Sequence, residues 1–221
     1  MAIAFVGAST ALDHTGTPAA SVATPALSVT TGNLIVVGVR FAVAGAITGV
    51  TDTAGNTYVQ RATITHSNST TIEIWTAENI TGNANNVVTA TYSPATLYWS
   101  IFQLEYSGIA TSSSLDATST AQSASAPITS GTFSTAQADE VIVSYSDVSN
   151  VGSTWTLQTG YTQREIDSDG AGVFCDKIVS SIQSNITVSH TPSPSTSCEI
   201  VVCTLKAAAV AVTGRVHAYI F

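Results

Sequence analysis

The chain has 221 residues, of which 44% are hydrophobic and only 9% charged, with a formal net charge of −8. The apolar content is enough for a real core and excludes a globally disordered chain, and the length fits one domain or a pair of fused halves. Six basic residues, Arg40, Arg61, Arg164, Lys177, Lys206 and Arg215, are scattered, so no basic stripe exists to displace counterions from phosphates and direct nucleic-acid binding is not expected.

Ser, Thr, Asn and Ala take the place of charge, whose usual share is roughly 25%. Two readings account for this: burial against other subunits, or the Ser/Thr-rich β-surface common in extracellular and virion proteins. Cys175, Cys198 and Cys203 are an odd number, so a closed disulfide framework is excluded and free buried thiols are expected. Free thiols fit folding in a reducing cytoplasm. The opening MAIAFVGAST has no basic residue ahead of its short apolar run and does not read as a secretory signal. No run approaches the length of a membrane span.

In chain order, Ala2 to Val6 reads as a strand and Thr10 to Ala20 as a loop. Ser21 to Val29 reads as an edge strand interrupted by Pro25. Leu34 to Phe41 is almost continuously apolar, the pattern of a strand buried on both faces. Ala42 to Gly49 reads as a loop or loose edge. Asp52-Thr53-Ala54-Gly55-Asn56 is a turn, because Asp can bond its own backbone and Gly and Asn tolerate positive φ. Thr57 to Thr65 and Thr70 to Ala77 form a hairpin around His66-Ser67-Asn68. Val87 to Tyr92 follows, Pro94 turns the chain, and Leu97 to Tyr106 carries Tyr98, Trp99 and Phe102.

Thr111 to Ser130 is a Ser/Thr/Ala run, a linker or an extended arm. Beyond it the order recurs. Glu140 to Tyr145 echoes Leu34 to Val39, and Tyr161 to Ile166 echoes Tyr58 to Ile64. Gly172 to Val179 echoes Ile72 to Ala77, Ile186 to Ser189 echoes Val88 to Thr91, and Cys198 to Lys206 echoes Trp99 to Glu105. No stretch holds a capped 3.6-residue period. The expectation is an all-β, two-sheet antiparallel sandwich, jelly-roll-like, with pseudo-repeated halves of about 1–110 and 126–206 joined by a linker, 111–125. Residues 207–221 form an apolar C-terminal extension. It folds back as a hairpin or docks on a neighbour by strand addition, with Val216, His217, Tyr219, Ile220 and Phe221 as interface residues.

No catalytic, cofactor-binding or metal constellation stands out in the sequence. Glu73, Glu78, Glu105, Asp52 and Asp147 are the carboxylates a glycosidase could use, but sequence places no two face to face. Asp167-Ser168-Asp169-Gly170 is a partial calcium-loop pattern without the distal Glu, and a turn is the simpler reading. His14, His66, His190 and His217 lack zinc-pair spacing, and no G-x-S-x-G elbow occurs. The sequons at Asn68, Asn79 and Asn185 are chance matches in such a composition. Trp75 and Trp99 lie mid-strand and read as core. Trp155, between Gly152 and Gly160, is the candidate for an exposed sugar-stacking ring.

VTDTAGNTY at Val50 to Tyr58, the segment from Ile74-Trp75 to Asn79, and LEYSGI at Leu104 to Ile109 stand in a recognisable order. Together they resemble a jelly-roll β-sandwich family of tailed-phage structural proteins, also seen in bacterial surface proteins. The resemblance spans most of residues 1–206 and implies a capsid cement or decoration protein, not an enzyme. It implies the major capsid protein as partner, a homo-oligomer with a trimer favoured, and a place on the capsid exterior after assembly in the host cytoplasm. The alternative is a carbohydrate-binding or adhesive module of a phage fibre or cell surface, using Trp155.

Overall fold

The computed structural model describes residues 2–13, 17–42, 46–66, 70–96 and 99–209. These residues form strands and no helix. The first ten are β1 (Ala4–Asp13), β2 (Ala19–Ala23), β3 (Leu27–Val29), β4 (Leu34–Ala42), β5 (Ala46–Asp52), β6 (Val59–Thr65), β7 (Thr70–Ala77), β8 (Asn83–Asn86), β9 (Val88–Thr96) and β10 (Trp99–Ser107). The remainder are β11 (Leu115–Ser123), β12 (Ile128–Thr129), β13 (Glu140–Val148), β14 (Thr154–Thr156), β15 (Thr162–Ile166), β16 (Gly172–Val179), β17 (Ser189–Ser193) and β18 (Cys198–Lys206).

Two five-stranded antiparallel sheets dominate, in the orders β1-β10-β4-β7-β6 and β11-β18-β13-β16-β15. Ranked along the chain, both run first, fifth, second, fourth, third. The three-stranded sheets β2-β9-β5 and β12-β17-β14 also share one order. A short pair, β3-β8, belongs only to the first set.

Side-chain alternation places these sheets in layers. On β4, Leu34 and Val36 enter one core while Ile35, Val37, Val39 and Phe41 enter another. On β18, Val201, Cys203 and Leu205 share the core of Leu34 and Val36, and Ile200 and Val202 enter a third. The five-stranded sheets therefore pack face to face over a central core containing Ile72, Ile74, Phe102, Tyr145 and Phe174. Each is covered on its outer face by its smaller sheets. The expected antiparallel sandwich is present, but with four layers instead of two. The continuous apolar runs of β4, β13 and β18 need cover on both faces, and a two-layer body supplies only one.

Other boundaries move for local reasons. Residues 111–125, expected as a linker, hold the edge strand β11, paired to β18 from Leu115↔Leu205 to Ser123↔Cys198. Its exposed flank tolerates Ser and Thr, which hid it. β1 runs on to Asp13 against β10, into the expected Thr10–Ala20 loop. Of Ala42–Gly49, expected as a loop or loose edge, the second half belongs to β5, an edge strand of its sheet. Pro25 divides the expected strand Ser21–Val29 into β2 and β3, and Pro94 lies within β9 instead of turning the chain. Ile186 makes only a bridge to Phe133, and the strand begins at Ser189. The turn at Asp52 forms as expected, with Gly55 at φ +76° and Asp52 Oδ1 accepting from Asn56 N at 2.9 Å. Gly108, φ +75°, permits a close approach to Ala2, whose carbonyl a Cβ there would strike.

Tyr58-Val59-Gln60-Arg61 and Tyr161-Thr162-Gln163-Arg164 lead into β6 and β15. In both strands the register shifts at the arginine. Bulging turns each arginine onto the neighbouring strand. Arg61 Nε donates to Thr76 Oγ1 at 2.6 Å, and Arg164 Nε lies 2.9 Å from Asp176 Oδ1.

Candidate functional site

The interface residues proposed from sequence, Val216, His217, Tyr219, Ile220 and Phe221, lie outside the described residues. The segment leading to them starts at a defined place. Ala207 bridges Ile109, and Ala208 N donates to Gly108 O at 2.8 Å. Trp155 is half-buried, packed on the third core, with its indole N–H donating to Gly170 O at 3.0 Å. One side of the ring and its polar handle are thus engaged within the chain.

The candidate carboxylates go to separate structural tasks. Asp52 accepts from Asn56, from Tyr58 Oη at 2.9 Å and from Asn86 Nδ2 at 3.1 Å. Partial burial pushes its pKa up, but these donors outweigh burial and hold it below the usual range. Glu73 accepts from Trp75 Nε1 at 2.6 Å, yet burial still raises its pKa. Glu78 accepts from Arg61 Nη2 at 2.9 Å and from Ser114 N and Oγ at 2.8 and 2.6 Å. It ties β6 to the approach of β11. Glu105 accepts from Thr30 N at 2.7 Å and from Asn33 Nδ2.

His190 is fully buried, with Nε2 3.1 Å from Ser144 Oγ and its ring edge-on to Tyr161. Gln158 N–H donates to Nδ1 at 3.3 Å, so the neutral ring carries its proton on Nε2 and donates to Ser144. Burial lowers its pKa to about 4. Ser144 is also fully buried, so this pair has no route to a substrate and serves as a satisfied core contact. The cysteines are free and buried, as expected. Among the described residues no helix is long and apolar enough to cross a membrane.

Register assembles one constellation that sequence did not reveal. Arg40 of β4 points between the five-stranded sheets and meets Asp147 of β13, Nε to Oδ1 2.9 Å. Asp169 Oδ2 lies 4.0 Å from Arg40 Nη1, Glu199 is the cross-strand partner of Asp147, and Asp167 Oδ1 accepts from Gly172 N at 2.9 Å. Arg40, Asp147, Asp167 and Glu199 are 7%, 1%, 2% and 1% exposed. Burial opposes the Arg40 charge, but Asp147 and its neighbours more than offset that and keep the guanidinium protonated. Burial raises the pKa of Asp147, Asp167 and Glu199. The Asp167-Ser168-Asp169-Gly170 segment is a turn that delivers two acids to this joint. Among the described residues no group of His, Cys, Asp and Glu has metal-holding geometry.

The two flanks of the central layer differ. Where β1 meets β15, Thr10 Oγ1 donates to Glu165 Oε2 at 3.0 Å and the Arg164 guanidinium lies 4.2 Å over the Phe5 ring. Where β6 meets β11, Gln60, Arg61, Ala62, Thr63, Thr118 and Thr120 line an open groove of about 260 Å³. Comparison with protein-family models, curated proteins and solved structures returned no match to this chain.

Proposed function

We propose that this protein is a virion structural component, a capsid cement or decoration protein that bridges and stabilises major capsid subunits. The observation that carries the reading is the internal use of its polar chemistry. The candidate carboxylates and His190 are engaged by neighbours inside a four-layer β-body, leaving a surface of Ser, Thr and Asn. Such a body resists deformation and offers broad faces for neighbours. The likeness of its turn and strand motifs to phage structural proteins points the same way. Stable interfaces bury roughly 1,200–2,000 Å², and symmetric copies, a trimer foremost, would multiply that at capsomer seams.

The finer architecture belongs to the same reading. Each half is a jelly-roll-like unit, and the chain is a tandem duplication. The shared strand orders and the matching bulged arginines support this. The extension 207–221 is the contact element.

The test is binding of purified protein to capsids that lack it, followed by imaging of the decorated particle. Density outside the capsomers, lost when residues 208–221 are deleted, is the expected result; no association with particles would end the proposal. The second reading, a glycan-binding module, draws on the polar groove at Arg61. A glycan array separates it from the first: specific sugar binding lost in Thr118→Trp, which fills the groove, would favour it.

A further inference from the structure

The Arg40 joint is unbalanced. One guanidinium faces Asp147, Asp167 and Glu199, so with all three ionised two negative charges would remain that it does not balance in a buried space. Both oxygens of Glu199 and Oδ2 of Asp167 are buried with no hydrogen-bond donor among the described residues. Ionised carboxylates do not persist in that condition, because an unpaired buried charge costs far more than a proton.

Strands of both five-stranded sheets and one turn surround the joint. β4 brings Arg40, β10 brings Ser100, β13 brings Tyr145 and Asp147, and β18 brings Glu199. The β15–β16 turn brings Asp167 and Asp169, while β7 and β16 offer only Ile72 and Gly172 opposite Arg40 and Asp147. Tyr145 Oη is engaged with Ser100 Oγ at 3.1 Å. A Cβ at Gly172 would sit 2.7 Å from Asp167 Oδ2 and 3.1 Å from Tyr145 Oη, so the site is tightly packed. No second cation is present among these residues, and the carboxylates do not converge as metal ligands. Protons are what remains to balance the charge.

We propose that the joint between the five-stranded sheets is a proton-operated clamp, in which Asp147, Asp167 and Glu199 share protons around the fixed guanidinium of Arg40. The clamp tightens in mild acid and loosens as the medium turns alkaline. The sign follows from linkage. A carboxyl whose proton is held more tightly in the folded than in the unfolded chain contributes stability that is full below its unfolded pKa. That contribution is lost as pH rises through neutral towards the raised folded value. The acids come from one end of the second sheet and the arginine from the first, so what loosens is the seam between sheets.

The test is urea unfolding of the full chain at about pH 5, 7 and 9, comparing wild type with Asp167→Asn/Glu199→Gln, whose neutral amides mimic the protonated acids. The wild-type folding constant is expected to fall by about tenfold per pH unit for each extra proton held by the folded state. The double variant should lose most of that slope and be the more stable protein at the alkaline end. Other buried acids such as Glu140, raised by burial to about 7, affect both proteins alike, so the difference in slope isolates the clamp. Level wild-type stability across the range, or an equally steep fall in the variant, would overturn the proposal. So would stabilisation of the wild type alone by millimolar calcium at alkaline pH, which would make the cluster a cation site.

Discussion

Arg40 and Asp147 occupy the same place in the two five-stranded sheets, and they meet. Arg40 stands opposite Ser100 and Ile72 in its sheet, and Asp147 stands opposite Glu199 and Gly172 in the other. Their side chains close to 2.9 Å across the central layer. Two identical subunits meeting through this face would set like against like at that position. A single chain carrying both sheets can set opposite charges there.

Replacing Arg40 by Met removes the cation and leaves Asp147 without compensation. Breaking a buried pair from one side typically costs about 3–5 kcal/mol. Arg40→Met/Asp147→Leu should recover much of that loss, because no charge is then stranded. A double-mutant cycle by urea unfolding at neutral pH checks this; additive losses would contradict the pairing.

At Gly38 the first sheet lies directly against side chains of the second. A Cβ there would stand 2.7 Å from Phe174 Cε2 and 3.4 Å from Tyr145 Cδ1. Phe174 is itself held between Phe102, at 6.0 Å, and Tyr145, stacked at 5.6 Å. Gly38→Ala should therefore cost about 1–3 kcal/mol through overpacking. Phe174→Leu in the same chain should relieve part of the strain, so the pair should lose less than the two single losses summed.

The seam should also hold without covalent continuity. Thr111, Ser112 and Ser113 are exposed, and the central core joins the sheets on either side of them. A protease site inserted there and cut should leave the fragments co-eluting as one species on size exclusion. Separation without denaturant would show the central core to be weaker than its composition implies.

His190 should stay neutral well below the usual imidazole range, since burial lowers its pKa to about 4. Nitrogen NMR at about pH 5.5 should find the Nε2–H tautomer, the one that donates to Ser144. The unfolded chain binds the proton first on acidification, so this residue contributes stability that is lost as pH falls through about 6.5 towards 4. An imidazolium signal in the folded protein at that pH would refute the assignment.

Much of the fold is legible along the chain. Continuous apolar runs locate β4, β13 and β18, and alternation locates β7. What eludes reading is β11, because an edge strand with one open flank needs no apolar period. The extra layers are implied only indirectly, by strands too apolar for a single covered face. The Arg40 joint is not legible at all. Positions 40, 147, 167, 169 and 199 look like scattered surface charges until the pairings Asp147↔Glu199 and Asp147↔Gly172 bring them to one end of one layer.

The contrast between the β1–β15 and β6–β11 flanks gives the molecule a direction. Backbone geometry offers a neighbour matching edges on either side, but one is plugged by Phe5, Arg164 and Glu165 and the other is hollow beside Ala62. A partner fitted to the hollow would seat in a single orientation, so an array built through that edge would be polar, with every copy facing the same way.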